Sequence, residues 1–276
     1  MFAAAINKAV FLKRDVEGEF TKVFKAVKKA YRGYSQLREA NRISRHFAQF
    51  FRPVVANEKA ALGQAFGIRH QVFCEELGLF PQTEDKLEHD VYDEYASQCL
   101  IQHNRSTDFA GTVRIIMPEN EAQLLPIEKI AKDHITRPDL MPSNFPRNEV
   151  CEISRIAIPK AFRRRAMDKF EGAAQAGINI EMYSEIELRC FPLIAVGLYM
   201  ATAAMALKAG KKHAFFMVEP RLAKSMKFIG IKFEQIGNTF EYVGTRAPFY
   251  INYEDFLDNL SPSFKHMMNE FTQKMD

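Results

Sequence analysis

At 276 residues, with 47% hydrophobic residues, 24 Phe and 26% charged residues, the chain holds enough apolar material for a filled core, which excludes a disordered protein. Its four cysteines (Cys74, Cys99, Cys151, Cys190) stand far apart with no CxxC pair, and its seven histidines lack metal-ligand spacing. The expectation is therefore reduced, buried thiols in an intracellular protein and no metal site. The formal charge of +4 is uneven: residues 1–52 carry twelve basic residues against four acidic ones, a surplus of +8, which leaves −4 for the remainder.

That basic segment is read as a helical arm, domain 1–52, in front of a domain spanning 53–276. Val10, Phe11, Phe20, Val23, Phe24, Val27 and Tyr31 make an irregular apolar stripe with lysines opposite. Two readings stay open: a helix with solvated charges, or an arm touching an anionic membrane surface or an acidic partner. No nucleic-acid-binding motif accompanies the charge. The opening MFAAAINKAVFLKRD lacks a signal-peptide pattern. Phe191 to Leu207, the best membrane-span candidate, is diluted by small residues and reads as a buried core helix. The expected location is the cytoplasm, with peripheral membrane association through the arm as the open addition.

Pro53 is expected to end the arm and Asn57 to cap a helix running from about Glu58 to Leu77, with Leu62, Phe66, Phe73 and Leu77 on its apolar face. Arg69 falls on that face and needs a carboxylate partner; a structural ion pair and a substrate-site role both fit. An acidic loop follows (Glu84, Asp85, Glu88, Asp90, Asp93, Glu94), pinned by Val91 and Tyr92. Ala96 to Gln102 and Phe109 to Met117 read as paired strands around a polar turn. After a proline-rich stretch with a short helix near Pro126 to Lys132 comes a strand, Val150 to Ile158. A long helix (Glu185 to Lys208), a strand (His213 to Val218), a helix (Arg221 to Phe228) and strands Ile231 to Ile236 and Tyr242 to Ile251 complete a layered α/β order.

The strand Glu152-Ile153-Ser154-Arg155-Ile156-Ala157-Ile158 is the most informative segment, because three polar residues interrupt an apolar run and need partners if buried. Plain alternation places Glu152, Ser154 and Ile156 on one face and Ile153, Arg155 and Ala157 on the other.

Taken in order, Arg69 with Phe73, Asp90 with Asp93, Gly111 with Arg114, and Glu152 with Ser154 and Arg155 resemble the acyl-homoserine-lactone autoinducer synthases, a branch of GNAT-like N-acyltransferases. Glu219-Pro220-Arg221-Leu222-Ala223, Phe228-Ile229-Gly230 and Gly244-Thr245-Arg246-Ala247-Pro248-Phe249 look like the N-acyl amino acid synthases, a branch that includes the PEP-CTERM/exosortase-associated acyltransferases. The resemblance covers about residues 60–240. The chain departs from autoinducer synthases in having no Trp after the early helix; Leu79 or Phe80 stands near that place, which favours a free amino acid acceptor.

This resemblance implies a GNAT-like (acyl-CoA N-acyltransferase) fold, with a central mixed twisted sheet flanked by helices. It implies transfer of a long-chain acyl group from acyl carrier protein to the amine of a small-molecule amino acid. No cofactor is implied beyond the phosphopantetheine thioester itself. Glu152 is the candidate general base, or else pairs with an arginine; Ser154 is the candidate partner of the acyl carbonyl or pantetheine, or else is satisfied within the sheet. Arg69, Phe73, Asp90, Asp93, Arg114, Arg155 and Arg246 are the candidate acceptor-binding set, with Glu152 nearly balancing its charge. Arg163, Arg164 and Arg165 are the candidate carrier-protein or phosphopantetheine contact, or else a solvated basic loop. The helix Phe191 to Gly210 lines an acyl tunnel or is plain core. The competing readings are a lactone synthase using S-adenosylmethionine and a non-catalytic module that binds carrier protein or membrane.

Overall fold

Among the described residues, eight strands form the framework: β1 (Phe51–Val55), β2 (Ala96–His103), β3 (Phe109–Ile116), β4 (Val150–Ala157), β5 (His213–Val218), β6 (Glu234–Gln235), β7 (Phe240–Glu241) and β8 (Thr245–Asn252). The computed structural model describes residues 46–163 and 185–275, which belong to one compact unit, Ile43–Asp276. The strand order is β1-β2-β3-β4-β5-β8-β6, with β7 hairpinned onto β8. Neighbours pair antiparallel except β4 and β5, which run parallel. This is the mixed α/β sheet expected of a GNAT-like fold.

Side-chain alternation splits the sheet into two covered faces. The first carries Gln98, Leu100, Arg114, Ile116, Glu152 and Ser154, as the register fixes. Helix α1 (Lys59–His70) lies over part of this face, with Ala65 and Ile68 packed in a cluster with Leu100 and Ala157. Short helix α2 (Pro126–Ile130) covers another part, with Ile127 packed beside Ile116 and Phe215. On the second face, Ile101 and Ile153 look toward α3 (Ile194–Lys208), a helix buried along most of its length, as expected for a core helix. None of the helices in the described residues is long and apolar enough to cross a membrane. Helices α4 (Pro220–Phe228), α5 (Tyr253–Asn259) and α6 (Pro262–Lys274) complete the shell.

Several expectations need correction. Pro53 does not end an arm; it lies inside β1, an edge strand where its missing N–H goes unused. Residues 1–45 of the arm lie outside the described residues. Glu58, not Asn57, stands at the N-cap of α1, with no side-chain cap bond. The helix continues as a π-helical turn, Gln71–Glu76, which rotates the stripe so that Val72 is buried and Leu77 is 46% exposed. The helix drawn from Glu185 to Lys208 breaks around Pro192 into Glu185–Cys190, a 3-10 turn and α3, because proline removes a donor and clashes with the preceding turn. The strand drawn over Ile231 to Ile236 shrinks to Glu234–Gln235. Helices α5 and α6 add to the elements expected from the sequence; Asn252 caps one and Ser261, ahead of Pro262, caps the other.

Gly111, from the sequence motif, sits where strands and helix meet. A Cβ there would lie 2.9 Å from the Ala157 carbonyl oxygen and 3.2 Å from Leu198 Cδ1. Gly111→Ala is therefore expected to lower stability by about 1–3 kcal/mol, the usual cost of overpacking, measured as the shift in urea midpoint at unchanged slope. A midpoint equal to wild type would show that β3 and β4 have room to part.

Candidate functional site

Six side chains on the first face close into a ring of alternating charge. Arg69 Nε donates to Glu88 Oε2 at 2.5 Å, and its two terminal nitrogens grip both oxygens of Asp93 at 2.7 and 3.0 Å. Arg155 Nε donates to the other Glu88 oxygen at 3.0 Å, and its Nη2 donates to Asp90 Oδ2 at 2.9 Å. Arg114 Nη1 donates to Asp90 Oδ1 at 2.6 Å and lies 3.1 Å from Asp93 Oδ1, which completes the circuit. Asp90 and Asp93 lock each other through a reciprocal capping box at the start of a 3-10 turn, Val91–Tyr95. Three guanidinium groups meet three carboxylates, so the ring is neutral as a unit.

Glu88 is the member that sequence reasoning left in a solvated acidic loop. It is buried, and its N–H is tied to the Phe66 carbonyl at 3.1 Å. Arg69 is fully buried and supports the ring from behind, without reaching the cavity described below; the half-buried Asp93 does not line the cavity either. Burial alone would raise the Asp93 carboxyl, but the Arg69 hydrogen bonds and the Arg69 and Arg114 charges outweigh it and hold the group at about 2.

Arg155 corrects the face assignment. Plain alternation puts it opposite Ser154, yet it shares its carboxylates with Arg69 and Arg114. The cause is a β-bulge: Arg114 pairs with Ser154 and Thr112 with Ala157, so β4 holds one residue more than β3 across this interval. Arg155 takes the extra place at φ 53°, a left-handed conformation uncommon for a side chain of this size. Arg155 and Ile156 consequently have no register partner on β3, and the pairing of β4 with β5 has already stopped at Glu152–Phe215.

Where the two strands part, a cavity of about 220 Å³ passes between the faces. On the first face it meets Phe80, Asp90, Arg114, Glu152, Ser154 and Arg155; on the second it follows an apolar path along α3. Phe73 also lines it, edge-on to Phe80 at 6.1 Å, and the Arg155 guanidinium lies 4.8 Å above the Phe80 ring. Arg114 Nε donates to Ser154 Oγ at 3.0 Å, and the hydroxyl's own hydrogen meets no acceptor among the described residues. Arg114 Nη2 and Arg155 Nη1 likewise carry no hydrogen bond to any described residue, and both side chains line the cavity.

Glu152 stands apart from the ring instead of completing it. It is 1% exposed, and its Oε2 accepts from the Ile127 N–H of α2 at 2.8 Å. Burial pushes its carboxyl up to about 8, against the pull of that N–H and of the Arg114 charge. A carboxylic acid so placed exchanges its proton near neutral pH, the property a general base needs.

The remaining candidates fall elsewhere. Arg246 lines the cavity, but its Nη2 is tied to the Val243 carbonyl at 2.9 Å and its Nη1 to Glu219 at 3.4 Å. Arg163 pairs with Glu76, which also accepts from the Lys160 N–H. Arg164 and Arg165 lie outside the described residues. All four cysteines are free and buried. Among the described residues, no group of three or more His, Cys, Asp or Glu could hold a metal ion.

Comparison with known proteins agrees with this fold. Residues 68–171 match the acetyltransferase (GNAT) domain family. The fold is similar to that of TofI in a ternary complex with an inhibitor and MTA (TM-score 0.53, 16% identity, covering 77% of this chain and 99% of that one). It is also similar to BjaI, described as a CoA-dependent acyl-homoserine lactone synthase, with MTA (TM-score 0.52, 14% identity, 80% and 89%). A third likeness is to FeeM, an N-acyl amino acid synthase from uncultured soil microbes (TM-score 0.51, 14% identity, 76% and 94%). No curated relative matches the chain by sequence. The chain thus has a GNAT-like fold, and its residues 68–171 resemble the acetyltransferase (GNAT) domain.

Removing Arg69 leaves Glu88 with Arg155 alone and Asp93 with Arg114 alone and opens the ring around a largely dry interior, so Arg69→Met is expected to cost about 3–5 kcal/mol in urea unfolding. The pH dependence carries a sign. Asp93 titrates at about 2 in the folded state against 3.8 as a free group, so its contribution is full above 3.8 and is lost as pH falls toward 2. Arg69→Met should lose part of that acid-side slope; an unchanged slope would mean that Asp93 owes its low value to other groups.

Proposed function

We propose that the chain is an N-acyltransferase that moves a long-chain fatty acyl group from the phosphopantetheine thioester of acyl carrier protein to the amine of an amino acid. The observation that carries this reading is Glu152, a buried carboxyl with its pKa pushed up to about 8, placed where β4 and β5 part and an apolar channel begins. The thioester carbonyl occupies the gap between the strands, its alkyl chain on the α3 side and the acceptor on the ring side. Glu152 takes the proton from the acceptor ammonium or from the amine as it attacks, directly or through water. The N–C bond forms, negative charge develops on the carbonyl oxygen, and the thiolate leaves as the C–S bond breaks. Ser154, already accepting from Arg114, turns its hydrogen toward that oxygen or the departing sulfur.

Two features support an amino acid acceptor. Arg114 Nη2 and Arg155 Nη1 are uncommitted donors beside Glu152, suited to a carboxylate one carbon from the reacting amine. Phe73 and Phe80 offer an apolar wall for its side chain. A carrier protein as donor is supported by α4: Leu222 and Met226 line the cavity, while Arg221, Lys224 and Lys227 of the same helix are exposed, a basic surface for an acidic partner. The alternative keeps the same chemistry with S-adenosylmethionine as acceptor.

Incubation with long-chain acyl carrier protein, or with acyl-coenzyme A, and either mixed amino acids or S-adenosylmethionine separates these readings by mass spectrometry. An acyl amino acid supports the proposal, an acyl lactone replaces it with the alternative, and no transfer from either donor rejects it. For the base, kcat/KM is expected to rise with pH through about 8 as the Glu152 carboxylate forms. Glu152→Gln should lower the rate by about 10²–10⁴-fold and remove that rise. It should not weaken the fold at alkaline pH: in wild type the native state holds a proton that the unfolded chain releases between 4.5 and 8, so stability falls across that window, and the amide is free of this cost. A variant with wild-type rates and the same pH limb would remove Glu152 from catalysis.

A further inference from the structure

The apolar half of the cavity lies between the gap in the sheet and the paired start of β5, and the paired end is built from identifiable parts. Parallel pairing of Val150, Cys151 and Glu152 with His213, Ala214 and Phe215 seals the sheet at the start of β5, whereas beyond Phe215 the strands part. The last turns of α3 lie over the sealed end, because α3 leads into β5 through residues 209–212 alone. Tyr199, Ala203 and Ala206 line the cavity at spacings of four and three, so they share one stripe of α3. That stripe spans about 10 Å of helix axis at 1.5 Å per residue. The stripe passes from a large residue near the opening to two alanines at the sealed end. Across from them stand Ala214 and Ile251, paired in register on β5 and β8.

Chain geometry also supplies the end wall. β8 finishes opposite His213, and the next residue, Tyr253, opens α5. Its hydroxyl donates to the Ala203 carbonyl, and its ring lies 5.7 Å from that of Phe256. Both aromatic residues are nearly buried and both line the cavity. The hydrogen bond fastens the wall to the helix that carries the alanines, so its position is fixed relative to the stripe.

We infer that Ala203, Ala206, Tyr253 and Phe256 set the longest acyl chain the protein accepts, with the two alanines as the floor of a linear alkyl site and the Tyr253–Phe256 pair as its stop. The inference rests on the proposed acyl transfer and deepens it, by assigning chain-length selection to residues on the face opposite Glu152. Among the described residues no charged group lines this half of the channel near its stop, so an unbranched hydrocarbon is the chemistry it fits; a polar acyl terminus would leave its hydrogen bonds unmade.

The test measures both turnover and binding for donor thioesters from butyryl to palmitoyl. Ala206→Leu should cut kcat/KM for the longest accepted donors by about tenfold or more, the scale for methylenes excluded from an apolar pocket, and leave butyryl transfer within about twofold. Ala206→Val, a smaller intrusion, should move the optimum the same way by less and guards against misfolding of the leucine variant. Phe256→Ala should extend the accepted length. Calorimetric binding of the same thioesters should follow the same order without any turnover. Uniform loss across all lengths, or an unshifted length profile in folded variants, overturns the inference. Length-dependent binding without transfer by wild type retains the channel and removes the acyltransfer reading instead.

Discussion

Parallel pairing between β4 and β5 lasts for three residues and stops at Glu152 and Phe215. A sheet opened in its middle leaves backbone donors and acceptors without partners, which is costly in a dry interior. The neighbouring strand compounds this with a bulge, since one extra residue in β4 takes Arg155 and Ile156 out of register with β3. Both departures fall within five residues of one strand, beside the same gap. Because β4 is central, neither fault can be relieved at a sheet edge. The strand is instead anchored from its flank, through Ser154 to Arg114 and through Arg155 to Glu88 and Asp90.

That anchoring explains why so much charge is buried around α1. A lone guanidinium in this position would be prohibitively desolvated, and an isolated buried ion pair is seldom better than a hydrophobic pair. A closed ring differs, because each carboxylate serves two arginines and each arginine two carboxylates, so that the desolvation of every ion is offset twice. The ring also crosses the fold: Arg69 comes from α1, Glu88, Asp90 and Asp93 from the following loop, Arg114 from β3 and Arg155 from β4. It therefore ties the loop carrying Asp90 and Tyr92 to the sheet, and that loop forms one wall of the cavity.

How much of this the sequence discloses depends on how local the determining physics is. Strands β2, β3, β4 and β5 are marked by apolar runs and were placed within about one residue at each end; the cross-strand meeting of Arg114 with Ser154 follows from them. Glu88 was not legible, because an acid in a run of acids looks solvated until a distant arginine is brought to it. The bulge at Arg155 was not legible either: no glycine or proline marks it, and alternation then assigns the arginine to the wrong face. Helices α5 and α6 are a different case. Asn252 ahead of Glu254 and Asp255, and Ser261-Pro262 ahead of Phe264, Met267, Met268 and Phe271, are local start signals and a helical stripe that were present to be read.

The exclusion of Glu152 from the ring is what gives the site its chemistry. Had Glu152 supplied the third carboxylate, as the charge count from the sequence suggested, two guanidinium groups would have held it ionised far below neutrality, as they hold Asp93. Its carboxylate would then be too weak a base to take a proton from an amine. With Glu88 in that place the ring is neutral, so the field it exerts on Glu152 is that of paired charges at short range and falls off quickly. Burial then dominates, and one backbone N–H from Ile127 is too little to reverse it. A fold that gathers four carboxylates on one face thus divides them by partner count: Glu88, Asp90 and Asp93 each meet two arginines and hold the loop and strands together, and Glu152 is left able to gain and lose a proton where the strands part.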